Sequence, residues 1–167
     1  MKWLMMIKVN SLIPKFLFTV ILLLFYACNN NDSELWDNAK KDYSNKDYEN
    51  CVIKLQQIID SESDLETIIQ SKYLLSEIYL NEYDQYFIAL DYLNMIIDEH
   101  TQHELAKKSL FTAAYIYGNY LDAYTDSYNY YNKFLSLYPQ DDLIESVKYE
   151  LDNLTPYLNK TKSLINN

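Results

Sequence analysis

Large apolar side chains recur through residues 34–155 at intervals of three and four, the spacing that places them on one face of an α-helix. Three stretches show the pattern most clearly. They are Cys51/Leu55/Ile58, Ala89/Leu93/Ile96 and Ser127/Tyr131/Phe134, in each of which a small residue is followed four and seven positions later by large ones. The small residues fall at a constant interval of 38, and a fixed period of this length marks an internal repeat. Each stretch follows another helical one, over 35–43, 71–80 and 110–117. The aromatics Trp36, Tyr73 and Phe111 of these leading helices continue to Tyr149, at intervals of 37, 38 and 38. That places a fourth leading helix over 141–155. Pro139-Gln140-Asp141-Asp142 opens it, with acids suited to a helix N-terminus, and Thr155-Pro156 is expected to close it. The pattern therefore predicts an all-α chain of three helix pairs and a C-terminal capping helix, followed by a polar tail over 156–167.

Composition agrees with helices. The 167 residues include one Gly and three Pro, too few breakers for a loop-rich fold. The 18 tyrosines outnumber the six Phe and two Trp. Each has an apolar body that packs between helices and a hydroxyl that reaches water. All 14 basic residues are Lys and the net charge is −10. An acidic chain without Arg repels phosphates and lacks bidentate base readers, so nucleic acid is not an expected partner.

The N-terminal segment adds a location. Residues 1–27 hold Lys2, Lys8 and Lys15 and no acid. The apolar run from Phe16 to Phe25 follows, then Tyr26-Ala27-Cys28. A positive start, an apolar stretch too short to cross a bilayer comfortably and a small residue before the cut describe a secretory signal. With Cys28 at the boundary, the segment resembles the lipobox of bacterial lipoproteins, although Phe25 stands where that pattern prefers Leu. The resemblance implies removal of 1–27 and thioether lipidation of Cys28. Asn29-Asn30-Asn31-Asp32-Ser33 then completes a polar tether over 28–33.

The repeated segments resemble tetratricopeptide repeats over 34–155. In that family a small residue early in the second helix lets the two helices cross closely. Cys51, Ala89 and Ser127 hold this place, facing Ala39, Ser76 and Ala114 on the leading helices. The interval of 38 is longer than the family's usual period of about 34. The lipidated Cys, the short tether and the ending Tyr131-Asn132-Lys133-Phe134-Leu135-Ser136-Leu137-Tyr138-Pro139 are similar to the lipoprotein family of the outer-membrane β-barrel assembly machine. This chain carries fewer repeats than that assembly lipoprotein. The resemblance implies a right-handed solenoid, anchored by lipid in the bacterial cell envelope at the outer membrane and facing the periplasm. It also implies a concave surface at the level of Trp36, Lys40, Tyr43, Tyr73, Glu77, Phe111, Tyr115 and Asn119. The implied partner is an envelope protein or an extended peptide, in β-barrel assembly. The alternative is a periplasmic carrier of a glycan or small molecule, stacked on a Tyr-lined groove.

Chemistry-bearing groups are sparse. One Gly cannot build a phosphate loop. His100 and His103 lie in a connection between helices with no third His or thiol nearby, a poor metal site. Cys51 sits at a close-packed apolar position, as a structural thiol does. No nucleophile, acid and base are spaced for catalysis. No enzymatic activity, cofactor or metal is expected.

Overall fold

The structure, a computed structural model, describes residues 33–61 and 63–165. The expected signal segment 1–27, the lipidation residue Cys28 and residues 29–32 of the expected tether lie outside the described residues. Among the described residues there are seven α-helices and no strand. They are α1 (33–44), α2 (Tyr48–Asp60), α3 (Leu65–Asn81), α4 (Tyr86–Glu99), α5 (Glu104–Asn119), α6 (Tyr124–Leu137) and α7 (Ile144–Ile165). None of them is long and apolar enough to cross a membrane. The chain divides after Ser63 into two compact units.

The first unit contains α1 and α2. Residues 45–47 turn the chain between them, and Asp47 caps α2 by accepting from the Asn50 amide. Lys46 adopts φ 61°, the left-handed conformation that reverses the chain in few residues. Ala39 and Cys51, the small residues expected to face each other, are both fully buried. Burial, with Asp42 adding to it, pushes the Cys51 thiol up to about 11, so it is protonated at neutral pH. Lys54 reaches back across the hairpin to the Asp42 carboxylate.

The second unit contains α3 to α7. Each helix packs on the next in sequence, and α3 also reaches α5. Its core combines Leu90, Leu93, Ile97, Leu110, Ala113, Tyr131, Phe134, Val147 and Leu154. The small residues Ser76, Ala89, Ala114 and Ser127 are buried where close helix crossings were expected. At one crossing the Ser127 hydroxyl donates to the Ala114 carbonyl at 2.7 Å. The single glycine, Gly118, lies one turn further along α5. A Cβ there would come within 2.8 Å of Ser127 Oγ and 3.4 Å of Leu154 Cδ2.

The 38-residue interval extends to the backbone. Asp84 (φ 52°) and Asp122 (φ 51°) adopt the same left-handed conformation as Lys46, at the same place in each turn. After each Asp the next amide bonds back across the turn, Gln85 to the Tyr79 carbonyl and Ala123 to that of Tyr117, both at 2.8 Å. The turn thus repeats with three different sequences and without glycine.

One helix boundary differs from expectation. Pro156 does not close α7, which begins at Ile144 and runs through it to Ile165. Proline has no N–H to donate and crowds the preceding turn. Here packing outweighs that penalty. The apolar stripe Val147, Leu151, Leu154 and Leu158 crosses the proline without a break and joins the core. Tyr157, directly after it, stacks on Tyr124 at 4.5 Å.

Candidate functional site

The periodic aromatics of α5 and α7 meet in an open groove of about 540 Å³, lined by Phe111, Tyr115, Glu145, Ser146, Tyr149 and Glu150. Its construction follows from helical spacing. Phe111 and Tyr115 are one turn apart on α5, as are Glu145 and Tyr149, and Ser146 and Glu150, on α7. The Phe111 ring meets the buried Tyr131 ring in an edge-to-face arrangement at 5.6 Å. Tyr115 and Tyr149 are 37% and 65% exposed. The groove thus has aromatic walls with carboxylates along the α7 side.

Of the expected site residues, Phe111 and Tyr115 lie in this groove. Tyr73 and Glu77, one turn apart on α3, lie beside α5, with Thr112 near the Tyr73 hydroxyl. Burial raises the pKa of Tyr73, and the Glu77 carboxylate adds to the rise. Burial also raises that of Glu77, against the pull of Lys108. Lys108 is itself bound to Glu104 at 2.9 Å. Asn119 ends α5 with its side-chain amide donating to the Tyr115 carbonyl at 3.1 Å, and does not line the groove. Trp36, Lys40 and Tyr43 belong to α1 in the first unit. There the Lys40 ammonium lies 5.5 Å from the centre of the Trp36 ring and 2.9 Å from Asp37, while Tyr43 meets Tyr48 edge-on at 5.8 Å.

Tyr149 was legible as the fourth member of the Trp36, Tyr73, Phe111 series. Its helix reads as a cap, which hides its role as a groove wall. Glu145 and Glu150 carry no periodic signal, and only the packing of α7 across α5 brings them to the groove.

The two histidines are occupied with helix ends. His100 is the C-cap of α4. His103 caps α5, its Nδ1 accepting from the Leu105 amide at 3.0 Å. The accepting Nδ1 leaves the proton on Nε2, which lies 2.8 Å from Glu66 Oε2 and donates to it. That bond is the main cause of a lowered Glu66 pKa. A smaller groove of about 380 Å³ opens nearby, between Gln102, His103, Lys107 and the 138–141 turn. Lys107 and Asp141 lie 2.7 Å apart at its edge.

No family model matches the chain, and no curated protein matches it in sequence.

Proposed function

We propose that the chain is a lipid-anchored scaffold of the bacterial envelope, a right-handed tetratricopeptide-like solenoid facing the periplasm at the outer membrane. It binds an extended segment of another envelope protein and serves in β-barrel assembly. The observation that carries the reading is the α5–α7 groove, where aromatic residues from two leading helices stand side by side with exposed rings. Rigid aromatics give a peptide large contact area at low cost in side-chain entropy. The interval of 38, seen in the apolar pattern and again in the left-handed turns, supports the repeat.

The test has two arms. Metabolic labelling with a palmitate analogue should mark the wild-type chain and not Cys28→Ala. Pull-down from detergent-solubilised envelope should recover the barrel-assembly core, and Phe111→Ala with Tyr149→Ala should weaken recovery. A thermal shift with glycan fragments but none with peptides would select the carrier reading instead.

A further inference from the structure

We propose that the α5–α7 groove recognises a cationic side chain, Lys or Arg, on the bound segment. The cation would lie between the rings of Phe111, Tyr115 and Tyr149 and the carboxylate of Glu150. The inference rests on the groove being the peptide-binding face and adds what it reads.

Two observations point to a cation. First, Glu150 is half-buried at the groove wall, and no Lys is paired with it among the described residues. Glu145, on the same wall, reaches Lys148 at 2.8 Å, but that pair is largely in water and screened. Second, the groove presents three aromatic rings beside this carboxylate. Ring faces attract a cation, and more strongly as it leaves water. The long apolar stem of Lys or Arg would lie along the rings. The net charge of −10 also draws basic partners and repels acidic ones.

The probe is a fluorescent twelve-residue peptide of alternating Leu and Lys, titrated into the purified full chain. Matched peptides carry Arg, norleucine or Glu in place of Lys. The Lys and Arg peptides should bind and weaken with salt, and the Glu peptide should not bind. Glu150→Gln should weaken the Lys peptide about tenfold. Norleucine binding as tightly as Lys, with Glu150→Gln silent, would overturn the cation proposal and leave peptide binding standing. Failure of every peptide to bind would overturn both.

Discussion

Gly118 shows how far a single side chain can matter here. The Ser127 hydroxyl that a new Cβ would meet at 2.8 Å is held in place by its bond to the Ala114 carbonyl, so it cannot swing away freely. Gly118→Ala should therefore destabilise the second unit by about 1–2 kcal/mol, the overpacking cost outweighing alanine's helix preference. Ser127→Ala removes the obstructing oxygen at the cost of one buried hydrogen bond, about 1 kcal/mol. The double variant should lose less than the sum of the singles, measured by urea unfolding. Strict additivity would show that the crossing has room to spare.

Glu77 is shifted in the opposite direction from the hydrogen-bonded carboxylates Asp47, Asp64, Glu66, Glu99 and Asp141. Its pKa is raised by burial, so folding favours its protonated form. The penalty is absent at acid pH and sets in as the pH rises through the ordinary carboxylate range. Glu77→Gln should raise the unfolding midpoint at pH 7 and lose its advantage below about pH 4. A variant less stable than wild type at pH 7 would show that Lys108 compensates the buried charge.

At the scale of the element, the left-handed turns are the most regular feature. A non-glycine residue in this conformation costs roughly 1–2 kcal/mol. Asp84 and Asp122 recover part of that cost, because their carboxylates accept from the hydroxyls of Tyr86, at 3.3 Å, and Tyr124, at 2.7 Å. The second bond is also the main reason the Tyr124 hydroxyl is pushed up to about 12. Lys46 has no such bond to lose among the described residues, so it gives the cleanest test. Lys46→Gly should stabilise the first hairpin by up to about 1 kcal/mol, the flexibility of glycine in the unfolded chain taking back part of the gain. Lys46→Val should destabilise it. Thermal unfolding followed by circular dichroism separates the two, and equal shifts would mean that the turn relaxes out of the left-handed region.

At the scale of the whole molecule, the dominant electrostatic pattern is carboxylates held below their ordinary range by hydrogen bonds. The Glu99 pKa is lowered by Lys72, Asp141 by Lys107 and the Leu143 amide, Glu66 by His103, and Asp47 and Asp64 by the amides and side chains they cap. A lowered folded pKa contributes stability that is complete above the unfolded value and is lost as pH falls through the folded one. The unfolding temperature should therefore be level near neutrality and fall steadily below about pH 4. Asp141→Asn should flatten part of that fall, since the Asp141 side chain is only 13% exposed. A profile unchanged by the substitution would mean the pair contributes as little as an ordinary surface bridge.

The sequence by itself determined the helices, the interval of 38 and the small residues at the crossings, because each depends on local spacing and a buried apolar face. Pro156 shows where local rules stop. Read locally it ends a helix, yet Leu154, Leu158 and Tyr157 hold that helix together through contacts with residues distant in the chain. The groove follows the same logic. Phe111, Tyr115 and Tyr149 were visible as periodic aromatics, whereas Glu145 and Glu150 had no signal of their own. Only tertiary structure brings them together, because the neighbours of a side chain on α7 are set by how α7 packs across α5 and α6, and sequence spacing along one helix carries no record of that packing.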